Sequence, residues 1–195
     1  MPSAGEKPKK QRVFVALDLP ERLREGLAAW GGRELVDPAL RPVPPESLHV
    51  TLVFLGHREV AEVERIAAVV RAGGGTAPLM KLEDPISLPH RRRASLFALP
   101  APSPATSELQ RALEERLVAA GLHEPEERDF WPHVTVARVR AEGGGSRRPT
   151  AVARRPGELP EGLKEPFLGV RMTLYRSELQ PGSARYVPLA QVELP

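Results

Sequence analysis

The same tripeptide, His-Val-Thr, occurs in two apolar segments, "LHVTLVFLG" and "PHVTVARVR". Because successive side chains of a strand point to opposite faces, His49 shares a face with Thr51, and His133 shares a face with Thr135. The other face should belong to the core: Val50, Leu52 and Phe54 in the first segment, and Val134 and Val136 in the second. Each strand therefore presents an imidazole beside a hydroxyl.

Two imidazoles and two hydroxyls, with no carboxylate or thiol from either motif, point to acid and base chemistry. Near pH 7 a neutral histidine can take a proton from water while a protonated one gives a proton to a leaving oxygen. Hydroxyl donors can contact phosphate oxygens and stabilise developing charge. A zinc site is disfavoured, since zinc catalysis usually takes three protein ligands and only two histidines converge. Phosphodiester hydrolysis without a metal fits this set best.

Three helices are predicted around these strands, because apolar residues recur there at helical spacing. Proline, serine and glycine mark several of their ends. The helical segments are "PERLREGLAAWGGREL", the run containing Val60, Val63, Ala67 and Val70, and "SPATSELQRALEERLVAAGL".

The remaining apolar segments predict short strands. They are "RVFVALDL", residues 48–56 closed by Gly56, "LMKLEDPISL", "RASLFALP", residues 133–140, and a final hairpin of "FLGVRMTLYRSEL" and "ARYVPLAQVEL" joined at "QPGS". Few helices and short connections favour an α+β fold with antiparallel sheets.

Residues 141–166, rich in Gly, Pro and Arg, should form a mobile excursion. Since each motif follows a helix, two related halves are expected to face each other across a cleft.

Composition sets broader limits. The 195 residues, 41% hydrophobic, are enough for one substantial domain, predicted over 12–195 after a flexible basic tail at 1–11. The absence of cysteine excludes disulfides and thiolate sites. Because no apolar run approaches a membrane span and the start lacks the apolar core of a secretion signal, a cytoplasmic location is expected. The net charge of +3, carried mostly by arginine, weakly favours an anionic ligand.

Four segments together resemble the 2H phosphoesterase superfamily, most closely its bacterial and archaeal RNA 2',3'-cyclic phosphodiesterases, which were first named 2'-5' RNA ligases. In chain order they are "RVFVALDLP", "PESLHVTLVFLG", "FWPHVTVAR" and "LYRSELQPGSARYVPL". The likeness extends from about residue 12 to residue 190. Two His-x-Thr motifs with these flanks form a specific pattern.

The resemblance implies a bilobal fold of two pseudo-symmetric halves, with antiparallel sheets facing a central cleft and helices outside. It implies hydrolysis of RNA 2',3'-cyclic phosphate ends to 2'-phosphomonoesters. His49 would be the general acid toward the 3'-oxygen, His133 the general base on water, and Thr51 and Thr135 the phosphate contacts. No metal or organic cofactor is expected. The expected partner is an RNA or oligonucleotide with a 2',3'-cyclic phosphate end, bound by a monomer without membrane contact.

Three further residues are candidate substrate contacts. Arg138 follows the second motif as it does in similar proteins, yet strict alternation from His133 places it on the opposite face, so it needs a bulge to reach phosphate. Arg92, in the loop "PHRRR", could clamp RNA phosphates, although such a run is usually a solvated surface. Phe14 could stack on a base or simply pack in the core.

Two alternatives stay open at this stage. Another reaction of the same superfamily, such as 2'-5' RNA ligation or cleavage, or the opening of a different cyclic phosphate, would use identical residues. A non-catalytic module that binds RNA ends belongs to a different class, and it would not need both histidines intact.

Overall fold

The computed structural model describes residues 10–89, 93–143, 145–180 and 183–195. Within these residues the chain forms ten strands and three α-helices. The strands are β1 (Lys10–Asp18), β2 (Leu40–Pro42), β3 (His49–Glu59), β4 (Leu79–Met80), β5 (Ile86–Leu88), β6 (Leu96–Pro100), β7 (His133–Val139), β8 (Phe167–Leu168), β9 (Arg171–Gln180) and β10 (Ser183–Glu193). The mixture confirms the predicted α+β class.

The helices lie where apolar spacing predicted them: α1 (Glu21–Glu34), α2 (Val60–Ala72) and α3 (Pro104–Ala119). Local signals fix their ends. The Ser103 side chain accepts a hydrogen bond from the Thr106 amide at the start of α3. A reciprocal capping box between Glu59 and Glu62 starts α2, and Gly73 ends it.

Eight strands form one sheet, which contains every strand except β4 and β8. Its order is β10-β9-β1-β3-β7-β6-β5, and β2 pairs with β7 beyond the point where β3 contacts it. All these pairings are antiparallel. The prediction implied a separate sheet for each half. Instead, the strands of one half (β10, β9, β1 and β3) and those of the other half (β7, β6, β5 and β2) share one sheet, because β3 pairs with β7. A bilobal shape stays a prediction.

The join between the halves falls on the two His-Val-Thr motifs. Val50 of β3 pairs with Val134 of β7, and both side chains are fully buried. Since each valine lies between the histidine and threonine of its motif, the antiparallel pairing points His49 toward the Thr135 side and Thr51 toward the His133 side. The repeated tripeptide is thus the place where the two halves meet.

Both motif strands carry the same irregularity three residues after the histidine. In β3, Val15 and Ala16 pair with Val53 and Thr51, so Leu52 is an extra residue. In β7, Phe97 and Ala98 pair with Ala137 and Thr135, so Val136 is extra. A bulge of one residue reverses the faces of the side chains that follow it.

The structure corrects two predictions about β3, and the bulge at Leu52 accounts for the first of them. Phe54 was expected in the core, but it lies on the open face of the sheet with 53% of its surface exposed. Gly56 does not close the strand, because β3 continues to Glu59 and Gly56 pairs with Val13 at a positive φ of 72°. A residue without a Cβ adopts that conformation at little cost.

A single hydrophobic core lies on the sheet face opposite the motif histidines. It combines strand residues such as Val15 and Val136 with Ile66 of α2, Leu117 of α3 and Trp30 of α1. The cluster includes residues of both halves, which is the packing expected of one domain. The face with His49 and His133 is left open to solvent.

Residues 141–166 contain no α-helix over their described part, and they are held to the protein body by hydrogen bonds. Asp37 accepts hydrogen bonds from the Ala153 and Arg154 amides at 2.9 and 2.7 Å, and the Trp30 indole donates to the Glu158 carbonyl at 3.1 Å. These contacts argue against the predicted mobile excursion.

The basic tail was predicted to end at residue 11, but β1 already begins at Lys10; residues 1–9 lie outside the described part of the chain. Among the helices of residues 10–195 that the structure describes, none has the length and apolar character needed to cross a membrane.

Candidate active site

The open face of the sheet contains a cleft of about 360 Å³, within the usual size range of small-ligand sites. Residues of both halves line it, including His49 and Thr51 from β3 and His133 and Thr135 from β7. The four residues that the sequence analysis placed on strand faces therefore share one cavity.

His49 is held in place by its own strand. Its Nδ1 lies 2.7 Å from the carbonyl oxygen of Ser47, which can only accept, so Nδ1 carries a proton. Its Nε2 lies 3.2 Å from the Thr51 hydroxyl. The ring also contacts Phe14 and Tyr186, with centroids 5.0 and 5.3 Å away. In the neutral tautomer Nε2 is therefore an acceptor toward the cleft.

His133 repeats this arrangement in the other half. Its Nδ1 donates to the carbonyl of Trp131 at 2.8 Å, again two residues before the histidine. The indole of Trp131 stacks on the imidazole at 4.3 Å with an interplanar angle of 19°. Both histidines thus have the same tautomer fixed by a backbone carbonyl, which leaves both Nε2 atoms available for proton transfer.

Burial lowers the pKa of both histidines. The pKa of His49 falls to about 4, mainly because burial penalises the charged ring; the Ser47 carbonyl and the Asp18 carboxylate act in the opposite direction. For His133 burial is again the main cause of a lowered pKa, with the Arg138 charge acting in the same direction. Both rings are therefore neutral at pH 7 in the free protein, and an anion bound between them would favour protonation.

Three arginines give the cleft its positive charge: Arg12, Arg41 and Arg138. Arg138 reaches it through the bulge at Val136, which moves it to the same face as His133. Arg41 pairs with Arg138 across β2 and β7. Among the described residues, none of the three forms an ion pair with a carboxylate. Guanidinium groups without such partners suit a phosphate ligand.

The aromatic residues around His49 are mostly packed against one another. Phe14 touches the cleft but is only 4% exposed, and its ring contacts Tyr175 and Tyr186 as well as His49. This packing favours a role in supporting the imidazole, and base stacking by Phe14 stays a prediction. Tyr186, which the sequence analysis did not single out, lines the cleft itself.

Asp18 forms a buried hub behind the first histidine. It pairs with His49 across β1 and β3, and it is 8% exposed. Its carboxylate accepts hydrogen bonds from Arg171 at 2.8 Å and from the hydroxyls of Thr173 and Tyr175 at 2.9 Å each. Burial, together with this carboxylate, raises the pKa of Tyr175 to about 12, so the phenol remains a donor. No local pattern in the sequence signalled this network, because its donors lie on a strand near the far end of the chain.

Arg92, the remaining candidate substrate contact, lies outside the described residues, so its contact with RNA phosphates stays a prediction. The described histidines outside the two motifs, His57 and His123, do not line the cleft. His123 faces Glu114 at 3.4 Å on a different surface, and His57 lies exposed further along β3. In the described part of the chain, no three side chains from His, Cys, Asp and Glu come together as a metal-ligand set. A reaction without metal stays a prediction.

Comparisons with known proteins agree with this geometry. The model of the 2'-5' RNA ligase superfamily matches residues 19–155. A protein of Methanothermobacter thermautotrophicus named RNA 2',3'-cyclic phosphodiesterase is 33% identical over 92% of this chain and 97% of its own length. A protein of Escherichia coli with the same name is 31% identical over 92% of this chain and 94% of its own length.

Solved structures show the same fold. Escherichia coli LigT complexed with 3'-AMP superposes with a TM-score of 0.75 at 24% identity, covering 95% of this chain and 99% of LigT. The protein TT0787 of Thermus thermophilus gives a TM-score of 0.76 at 25% identity, covering 94% of this chain and 97% of that protein.

Proposed function

The chain belongs to the 2'-5' RNA ligase superfamily, as its sequence motifs predicted, and on this premise we propose that it hydrolyses RNA 2',3'-cyclic phosphodiester ends to 2'-phosphomonoesters. The two relatives described above are named RNA 2',3'-cyclic phosphodiesterases, and each matches 92% of the chain. The proposed substrate is an RNA or oligonucleotide with a 2',3'-cyclic phosphate end.

The proposed mechanism is a single displacement with His133 as base and His49 as acid. His133 Nε2 takes a proton from water while the water oxygen bonds to phosphorus. The bond from phosphorus to the 3'-oxygen breaks, and His49 Nε2 gives its proton to that oxygen. The products are a 2'-phosphate and a 3'-hydroxyl. One proton has then moved from His49 to His133, and exchange with solvent restores the starting state.

Binding of substrate would prepare His49 for this role. In the free protein the ring is neutral at pH 7, because its pKa is lowered to about 4. A phosphodiester anion in the cleft favours the charged form, and the nearby Asp18 carboxylate acts in the same direction. We therefore expect His49 to gain its proton as the substrate enters. Thr51, Thr135 and Arg138 would hold the nonbridging oxygens.

One observation carries this proposal. The pairing of Val50 with Val134 brings both motifs to one cleft, and both histidines keep Nδ1 on a backbone carbonyl. A module that only binds RNA ends has no need for two imidazoles with matching tautomers. In 2'-5' ligation a 5'-hydroxyl would replace water as the nucleophile and the 3'-oxygen would again leave, so the same side chains would serve and only the assay separates hydrolysis from ligation.

The test is to incubate the metal-stripped protein with a nucleoside 2',3'-cyclic phosphate and identify the product isomer. The expected product is the 2'-phosphate, formed equally well with a chelator present. Formation of the 3'-phosphate would reverse the assignment of the leaving oxygen, and loss of turnover with chelator would refute the metal-free mechanism. A monomeric state and a cytoplasmic location stay predictions.

A further inference from the structure

Phe54 is a large aromatic side chain that the proposed reaction does not use. It is 53% exposed, and it lies between the catalytic cleft and a second hollow of about 570 Å³. The lining of the second hollow includes the apolar residues Leu55 and Leu122 and the polar residues Arg58 and His123. Phe54 lines both cavities, so a ligand extending out of the cleft toward the hollow would pass over its ring.

The position of Phe54 is built into the strand. The bulge at Leu52 turns it away from the core, just as the equivalent bulge at Val136 turns Arg138 into the cleft. Phe54 follows His49 by five residues, as Arg138 follows His133. One half of the protein therefore presents a guanidinium at this place, and the other half presents an aromatic face.

A positive charge accompanies the exposed ring. The Arg12 guanidinium carbon lies 5.0 Å from the Phe54 ring centroid. Arg12 also lines the cleft. A phosphate held by Arg12 would thus lie next to a base resting on Phe54, and alternating phosphate and base contacts are typical of sites for single-stranded nucleic acid.

The second hollow suits a base better than a phosphate. Besides apolar side chains, its lining includes the carboxylate of Glu124, which would repel an anion. The Arg58 guanidinium is already engaged, donating to the Leu55 carbonyl at 2.9 Å and to Glu62 at 3.4 Å. An uncharged, flat group that stacks on an aromatic ring fits these surroundings.

The distance along the strand separates this place from the reacting phosphate. Five residues at about 3.3 Å each, shortened by the bulge, put the Cα of Phe54 about 15 Å from that of His49. We propose that Phe54 stacks on the base of the nucleotide that precedes the terminal cyclic phosphate, with Arg12 contacting the phosphate between the two nucleotides. The substrate would then be an oligonucleotide end rather than a mononucleotide. This inference rests on the proposed function.

The test compares two substrates, adenosine 2',3'-cyclic phosphate and the adenosine dinucleotide with the same cyclic end. The measured quantity is the ratio of kcat/KM for the dinucleotide to kcat/KM for the mononucleotide. In the parent this ratio should be on the order of ten, the size expected for one base stacked on an aromatic ring. Phe54→Leu, which keeps apolar bulk without a π face, should lower it several-fold, while the Arg12 contact to the phosphate remains. Phe54→Trp should keep it.

Leu168→Ala is the matched control, because Leu168 is equally exposed, at 52%, and lines neither cavity. It should keep the parent ratio. An unchanged ratio in Phe54→Leu, an equal loss on both substrates, or a parent ratio of one would each overturn the inference. If the parent hydrolyses neither substrate, the proposed function itself fails, so the two failures are distinguishable.

Discussion

Replacing His49 by glutamine should make the protein less sensitive to acid unfolding. In the unfolded chain a histidine has a pKa of about 6.5, whereas burial lowers the pKa of folded His49 to about 4. Between these values the unfolded chain binds a proton that the folded protein does not. Stability from this group is therefore fully present above pH 6.5 and is lost as the pH falls toward 4.

The size of this stability loss follows from the difference between the unfolded and folded pKa values of His49. A change from 6.5 to about 4, at about 1.4 kcal/mol per pH unit, gives about 3 kcal/mol of stability lost across that window. This is an upper limit, because the ring keeps part of its surface open to the cleft. His133 adds a loss of the same sign in the parent and in the variant alike, so it cancels in their difference.

Urea unfolding at several pH values between 7.5 and 4, followed by tryptophan fluorescence, measures this difference. The free energy of unfolding of His49→Gln relative to the parent should rise by about 2 to 3 kcal/mol as the pH falls. His57→Gln is the control, since His57 lies exposed on the same strand; its curve should run parallel to that of the parent. Parallel curves for His49→Gln and the parent, within about 0.5 kcal/mol, would mean that burial of the imidazole does not oppose its protonation.

Three further predictions concern catalysis. Thr51→Val and Thr135→Val keep the β-branched shape but remove a donor, so each should lower kcat/KM by about 10- to 100-fold without changing how kcat/KM depends on pH. Full activity in either variant would show that its hydroxyl does not contact the phosphate. Asp18→Asn should lower kcat/KM by on the order of tenfold at pH 7.5 and by less at pH 5.5, because the carboxylate favours protonated His49; an equal loss at both pH values would indicate a structural role only. When adenosine 2'-monophosphate binds at pH 7, the protein should take up a proton beyond any that the phosphate itself exchanges, and His49→Gln should reduce that uptake. Calorimetry in two buffers with different ionisation enthalpies measures the number of protons taken up. Equal uptake in the parent and the variant would contradict protonation of His49 on binding.

The sequence predicted the parts of the fold that depend on local periodicity. Helix ends followed the serine before α3 and the glycine after α2, since capping is decided by a few neighbouring residues. The alternation of His and Thr with valine also placed all four motif residues correctly, because no bulge interrupts the strands before Thr51 or Thr135.

What the sequence did not predict depends on contacts between distant residues. Alternation failed at Phe54, because a bulge is a property of the pairing with β1 and not of β3 alone. The same feature brought Arg138 to the cleft, where alternation alone would have excluded it. β2 was missed because it has only three residues, and the Asp18 hub because its donors lie on β9.

The most direct test of the two-histidine mechanism is single-turnover hydrolysis of a 2',3'-cyclic phosphate end by His49→Ala, His133→Ala and the double variant. Each single variant should be slower than the parent by about 10²-fold or more, as expected for loss of a positioned proton-transfer group. Because the two rings act on one displacement, the double variant should be little slower than the slower single variant. A parent-like rate in either single variant would show that its imidazole takes no part in the reaction.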